Sequence, residues 1–333
     1  MLSSLTLALL VVLSLSVFFD YINGFHDTAN SIATSVSTHA LRPERAILMS
    51  AVANFLGALT GTAVATTIGA GLVNSTDTNQ AVIAAALIGG ITWNLITWRL
   101  GLPSSSSHSL IGGLLGASIA AAGVASINVE GVKNKVLIPL VTSPILGLLI
   151  GFVLMVVLFN LFRRANPRRV NSRFRRLQVG SAAFMAFAHG SNDAQKTMGV
   201  MTLALVTAGV IPEFKVPVWV IIVAATAISM GTAVGGWRIM KTMGQGVVRL
   251  DPIHGFAAET TAASIILTAS HFGMPVSTTQ VISSAIMGVG SSDRFSSVKW
   301  GTARSIVIGW ALTLPAAGLV AALAYQVLKP FVR

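Results

Sequence analysis

The chain has 333 residues, of which 53% are hydrophobic and only 10% are charged. A soluble domain carries about 25% charged residues, so too little polar surface is present to cover a water-soluble particle. The formal net charge of +12 is gathered rather than spread, which argues against nucleic acid, and the absence of cysteine excludes disulfides and thiolate metal sites.

A spanning helix needs roughly 20 mostly apolar residues. Residues 2–19, 46–66, 80–98, 136–162, 217–236, 256–271 and 300–328 form such runs, and 178–210 is apolar but interrupted. A β-barrel would show short alternating segments; these runs are continuous. The expected fold class is an all-α integral membrane protein. Residues 1–19 have no basic n-region and no convincing cleavage site before Asp20, so they read as the first membrane segment rather than a signal peptide.

The segment RRANPRRVNSRFRR, 163–176, holds seven arginines and no acid. It divides the chain into a first transmembrane repeat, 1–162, a basic loop, 163–177, and a second repeat, 178–333. The positive-inside rule places that loop in the cytoplasm, near anionic headgroups. NSTDTNQ, 74–80, has one acid and no base and is expected on the outer face.

Two motif pairs match across the basic segment. NGFHDTANSIA, 23–33, aligns with HGSNDAQKTMG, 189–199, pairing Gly24 with Gly190 and Asp27 with Asp193. GLPSSSSHSLIGG, 101–113, aligns with GMPVSTTQVISSA, 273–285, pairing Pro103 with Pro275 and Ser105–Ser107 with Ser277–Thr279. The order and spacing indicate a duplication of about 170 residues, of the kind that secondary transporters arrange as inverted repeats. The glycines and prolines are expected to interrupt helices, which is tolerated at membrane depth only inside protein or beside a watery cavity. Exposed N–H groups at such breaks make an anion site without a full positive charge.

An Asp at the bilayer centre costs about 2.5–3.5 kcal/mol on insertion scales. Asp27 and Asp193 at matching positions therefore point to a cation or proton; capping a helix end or pairing with Lys196 is the structural alternative. Asn23, Asn30, Asn192 and Gln195 surround them with amides able to meet a cation or an oxyanion, or to hydrogen-bond between helices. Ser105, Ser106, Ser107, Ser277, Thr278 and Thr279 stand where N-caps belong, and capping is compatible with anion binding. The runs around them are short enough for re-entrant hairpins. His26, His108 and His189 could couple protons or simply hydrogen-bond. Lys196 lies three residues after Asp193, on the same helical face. Glu259 is a further carboxylate in an apolar run, without a clear repeat partner. There is no GxxxxGK[ST], GxSxG or HExxH, so no enzyme is expected.

At these four motifs the chain resembles the inorganic phosphate transporter (PiT) family, over nearly its whole length. The resemblance implies two inverted repeats with broken helices and two re-entrant hairpins, in a homodimer in the cell inner membrane, with lipid around it and no nucleic acid. It implies uptake of inorganic phosphate by symport with Na+ or H+, through alternating access around a midplane site, and no enzymatic cofactor. Ser105, Ser106, Ser107, Ser277, Thr278, Thr279, Gln195 and Asn30 become phosphate ligands. Asp27, Asp193, Asn23, Asn192 and His26 become cation-binding or coupling residues, with Asp27 and Asp193 as sodium ligands. The GFHD form, with His26, is more like the bacterial proton-coupled branch, which moves phosphate with a divalent metal. Sulfate or another oxyanion, and an anion channel in place of a carrier, are the competing expectations. A membrane-bound enzyme or receptor would need a soluble domain that no loop is long enough to hold.

Overall fold

A computed structural model describes residues 2–74 and 77–331. Ser75 and Thr76 of the expected outer segment, and the chain ends Met1 and 332–333, lie outside the described residues. Among those described there is no strand beyond one isolated bridge between Val73 and Ile127.

The first half comprises α1 (Leu2–Ser37), α2 (Pro43–Ala58), α3 (Ala63–Ala70), α4 (Gln80–Leu100), α5 (Ser106–Ala122), α6 (Val129–Val132) and α7 (Ile138–Phe162). The second comprises α8 (Pro167–Thr207), α9 (Val218–Val234), α10 (Trp237–Lys241), α11 (Pro252–His271), α12 (Thr278–Asp293) and α13 (Trp300–Leu328). Among the described residues four stretches are long and apolar enough to cross a membrane: Thr6–Ser37, Gln80–Leu100, Val129–Phe162 and Trp300–Leu328. The expected run 46–66 instead contains a 72° bend between α2 and α3, and 217–236 ends at a 61° bend after α9.

Local chemistry sets the helix ends. Asn79 caps α4 by accepting the Val82 N–H at 3.0 Å, and Gly101 closes that helix at φ 66°, a left-handed conformation that favours glycine. Asn166 caps α8, with Pro167 in its first turn. Most of the Arg-rich stretch is therefore not loop. Only a short turn separates α7 from α8, and the arginines from 168 onward ride on the first turns of a helix.

The expected breaks at Gly24 and Gly190 are absent: α1 and α8 run unbroken through both motifs. These glycines permit close approach instead. A Cβ on Gly24 would overlap the Ile228 carbonyl of α9, and one on Gly190 the Asn54 carbonyl of α2. Gly231 and Gly57 make the return contacts, against Tyr21 and Phe187. Close crossing on small residues is how helices associate where lipid supplies no hydrophobic drive. The pattern is reciprocal, since α1 packs on α9 as α8 packs on α2, and α5 packs on α13 as α12 packs on α7. The helical breaks fall elsewhere, before α5 and α12, after Pro103 and Pro275.

Large apolar residues such as Val141, Ile145, Leu149 and Val153 of α7 are exposed, as lipid-facing residues are. The two ends differ in charge. Arg42, Arg99, Arg238 and Lys241 share one end with the arginines of α8; there Thr38 donates to Gln178 at 2.7 Å and Phe162 packs on Phe174. The opposite end mixes Lys133, Lys135 and Lys215 with Asp77, Glu130 and Glu213.

Replacing Gly190 by Ala is expected to destabilise the protein by about 1–3 kcal/mol, because a backbone carbonyl must move. Gly180→Ala, with open space at its Cβ, is the control. Thermal unfolding in detergent should separate the two variants.

Candidate functional site

The site is built on one face of α1. Asp20, Asn23, Asp27, Asn30, Thr34 and Thr38 recur at spacings of three and four, which aligns them along one side of a helix, and every one is buried. Across from them α8 buries Gln178, Ser181, His189, Asp193, Lys196 and Thr197.

At the centre the two aspartates face the same imidazole. His189 Nε2 is 3.1 Å from Asp193 Oδ2 and 4.0 Å from Asp27 Oδ2. Ligating atoms of Asp27, His189 and Asp193 all lie within 4.8 Å of one another. The other ring nitrogen, His189 Nδ1, is 2.7 Å from Asn54 Oδ1. Asn54 Nδ2 donates to Thr232 at 3.2 Å, which turns its oxygen to the ring, so Nδ1 carries a hydrogen. A neutral His189 would then aim a bare Nε2 lone pair at two carboxylates. That arrangement calls for a proton or a metal cation between them.

Hydrogen bonds tie both carboxylates to the two serine/threonine tips. His26 Nδ1 lies 2.6 Å from Asp27 Oδ1, and its Nε2 lies 3.1 Å from Thr97 Oγ1. The Lys196 ammonium pairs with Asp193, donates to Ser107 Oγ, and reaches the Val276 carbonyl at 3.1 Å. Thr278 donates to Asp193 Oδ2 at 3.2 Å, and Thr279 to Asp27 Oδ1 at 3.5 Å. Asn30 Nδ2 donates to Thr279 Oγ1 at 2.9 Å and Thr278 Oγ1 at 3.3 Å. Ser107 donates to the Val276 carbonyl at 3.2 Å, joining one tip to the other.

The tips divide the expected hydroxyls into two kinds. Ser105 caps α5 by accepting the His108 N–H at 3.1 Å, and Ser277 caps α12 by accepting the Gln280 N–H at 3.2 Å. Ser106, Ser107, Thr278 and Thr279 occupy the first helical turns, where backbone N–H groups have no intrahelical partner and the helix dipole is positive. Two helix N-termini, their hydroxyls and one lysine thus converge beside two carboxylates.

Not every expected residue joins this cluster. Gln195 turns away: its Oε1 accepts from the Val64 N–H at 2.8 Å and its Nε2 donates to the Ser191 carbonyl at 2.6 Å. It lines a cleft of about 300 Å³ with Thr60, Gly61, Ser270 and His271. Asn192 points to Ser270 Oγ at 2.7 Å, on the side of that cleft rather than toward Asp27. Asn23 sits one turn before Asp27, and its Oδ1 has no hydrogen-bond partner. Glu259 is a separate buried carboxylate, accepting from Thr34, Ser181 and, at 3.2 Å, Gln178. The sequence reading offered His189 for proton coupling or a simple hydrogen bond but did not place it among the ligands, and gave Asp20 no role; the 20–23–27–30 spacing of polar residues is the signal that reaches Asp20.

The sequence pattern of the Phosphate transporter family matches residues 23–321. The chain is 47% identical over 328 residues to a protein of Bacillus subtilis named "Probable low-affinity inorganic phosphate transporter", covering 98% of each. A protein of the same name from Rhizobium meliloti is 47% identical over 326 residues, with 97% of each covered. A solved structure titled "The sodium-dependent phosphate transporter" superposes with TM-score 0.90 at 27% identity, covering 97% of this chain and 99% of that one.

Lys196→Met should leave the buried Asp193 carboxylate without its cation and destabilise the protein by about 3–5 kcal/mol. The double variant Asp193→Asn/Lys196→Met should recover much of that loss in a thermal double-mutant cycle. Additive losses would show that the pair does not interact.

Proposed function

Because the chain belongs to the phosphate transporter family, we propose that it takes up inorganic phosphate by symport with a cation, through alternating access around the Asp27–Asp193 cluster. The chain is an integral membrane protein and not an enzyme. The observation that carries the symport reading is the charge of the site. Two carboxylates oppose a single lysine at the place where the α5 and α12 N-termini converge. With neutral histidines the side chains sum to one negative charge, so a phosphate anion entering alone would be repelled at short range in a medium of low dielectric. Cations or protons neutralise that charge, and the anion follows. Binding of one is thereby conditional on the other.

In this reading Asp27 and Asp193 hold the coupling cation, with His26 and His189 orienting the carboxylates. Ser106, Ser107, Thr278, Thr279 and the free N–H groups behind them receive the phosphate, and Lys196 supplies its positive partner. Ser105 and Ser277 fix the helix ends as caps. Sodium is the coupling ion we favour, on the strength of the sodium-dependent structural relative and the carboxylate and hydroxyl oxygens at the site.

The two halves act as inverted repeats, with α5 and α12 as the inner arms of re-entrant hairpins. Supporting this are the matched element order and the reciprocal helix packing. The Arg-rich end faces the cytoplasm by the positive-inside rule. The cleft holding Gln195 then opens outward. At the cytoplasmic end Gly236 packs against the Phe25 carbonyl, Phe25 meets Trp98 edge-on at 5.4 Å, and Arg238 lies 5.0 Å over the Trp98 ring. A cleft of about 630 Å³ beside Arg42, Trp237 and Lys241 lies at that same end, and neither it nor the Gln195 cleft is lined by Asp27, Asp193 or the tip hydroxyls, which are buried. An occluded site of this kind is a state that alternating access passes through.

Purified protein in liposomes should accumulate labelled phosphate under an inward Na+ gradient. Imposing Na+ and H+ gradients separately identifies the coupling ion, and no uptake under either gradient defeats the proposal. Asp27→Asn and Asp193→Asn should each abolish uptake while the protein still elutes as a folded particle. Near-normal transport by both would remove them from the mechanism.

A further inference from the structure

The cleft of about 630 Å³ at the basic end takes no part in the mechanism above. It lies where the turn between α1 and α2 meets α10, so both halves of the chain wall it. His39 and Arg42 come from that turn, and Lys241 ends α10. No acid is among the described residues that line it; Glu44, next to Pro43, lies outside the lining. Among the described residues, the side chains of His39, Arg42 and Lys241 make no hydrogen bond or ion pair. Arg238 at the same end is engaged by contrast: it donates to the Arg99 carbonyl at 2.9 Å and lies over Trp98. Exposed cations are ordinary one at a time. Here two of them, from different halves, share one cleft without a counter-charge, and their mutual repulsion favours an anion between them.

The turn also accepts strain in order to carry its imidazole. His39 has φ 56°, the one positive φ of a non-glycine among the described residues. It follows the last turn of α1, where the Ala40 and Leu41 N–H groups both reach the Ser35 carbonyl, at 2.9 and 3.2 Å. Glycine is the residue that ordinarily ends a helix in this way, and a β-carbon in the left-handed conformation is disfavoured. Glycine would serve the turn better. Histidine adds a further donor to the cleft.

The rest of the wall is mostly apolar, with Val36, Leu41, Pro43, Trp237 and Met240. Inorganic phosphate would leave that wall and most of the volume unused. Exposed apolar stripes lead away from the cleft along both neighbouring helices: Leu48, Val52 and Leu56 on α2, and Met230 and Val234 on α9. A cationic pocket continuous with a lipid-facing stripe fits a ligand with an anionic head and a hydrocarbon tail. Tryptophan is also the residue that favours the level where headgroup meets acyl chain.

We propose that this cleft binds the headgroup of an anionic phospholipid. Arg42, Lys241 and His39 surround its phosphate, by the charge-assisted hydrogen bonds that such groups make, and an acyl chain follows the exposed stripe of α2. One headgroup shared by Arg42 and Lys241 joins the two halves of the chain at the basic end. It holds α10 where α10 already packs, against α1.

Full-length protein in detergent is titrated with phosphatidylglycerol, and bound lipid is counted by mass spectrometry of the intact protein. Parallel titrations use phosphatidylcholine and inorganic phosphate. Wild-type protein should retain phosphatidylglycerol and unfold at a higher temperature with it, and phosphatidylcholine should do neither. Arg42→Gln/Lys241→Gln should weaken phosphatidylglycerol about 30-fold, since each basic side chain at a lipid surface contributes about fivefold. Arg175→Gln/Arg176→Gln removes the same charge from exposed turns of α8 outside the cleft and should bind as wild type does. His39→Gly should weaken the lipid while raising the unfolding temperature of the lipid-free protein. The proposal is overturned if the two double variants lose affinity alike, since diffuse charge would then suffice, or if phosphatidylcholine binds equally well. It is also overturned if inorganic phosphate, and not the lipid, stabilises the protein through Arg42 and Lys241.

Discussion

The structure depends on keeping two carboxylates together in a place without water. Asp27 and Asp193 come from different halves of the chain and meet at the crossing of α1 and α8. Their mutual repulsion in a low dielectric would separate those helices were it not answered by His189 between them, by Lys196 and by the hydroxyls of the two tips. Each of these partners is itself held by another helix. His189 leans on Asn54 of α2, which leans on Thr232 of α9; Lys196 leans on the chain before α12. The charge problem at the centre therefore sets the positions of most of the bundle. A site that is comfortable only when charge-balanced is also one whose occupancy can be made conditional.

The apolar part of the molecule answers a different constraint. Helices carrying so many buried polar groups must approach closely to satisfy them, and glycine makes that possible at each crossing. Gly24 and Gly190 belong to the polar motifs, yet their contacts are with the backbones of α9 and α2. The motif thus combines a ligand and the packing that places it, in four successive residues.

Much of this was legible in the sequence. The apolar runs identified the membrane class, and the matched motifs singled out Asp27, Asp193 and the two tips, which the fold brings together. The helix ends at Ser105 and Ser277 followed from proline and hydroxyl chemistry. What escaped was mostly long-range. Nothing in HGSNDAQKTMG indicates that its histidine will lie between aspartates from both halves, or that Gln195 and Asn192 will turn toward a cleft at one end. A glycine in a polar motif reads equally as a break or as a close crossing, and only the neighbouring backbone decides. The Arg-rich stretch read as a loop because helix propensity and charge were in conflict there; Asn166 and Pro167 start a helix that the arginines, good helix formers, continue.

That last feature has a mechanical consequence. Helix α8 is one uninterrupted rod of 41 residues, roughly 60 Å at the usual rise and about twice the hydrocarbon thickness of a bilayer. Its arginine-bearing turns are exposed, while Asp193 and Lys196, further along the same helix, are buried among its neighbours. With no hinge along its length, such a rod is a lever. Any load on the basic end, from the charge of the adjacent lipid surface or from a protein resting there, reaches Asp193 and Lys196 as a tilt.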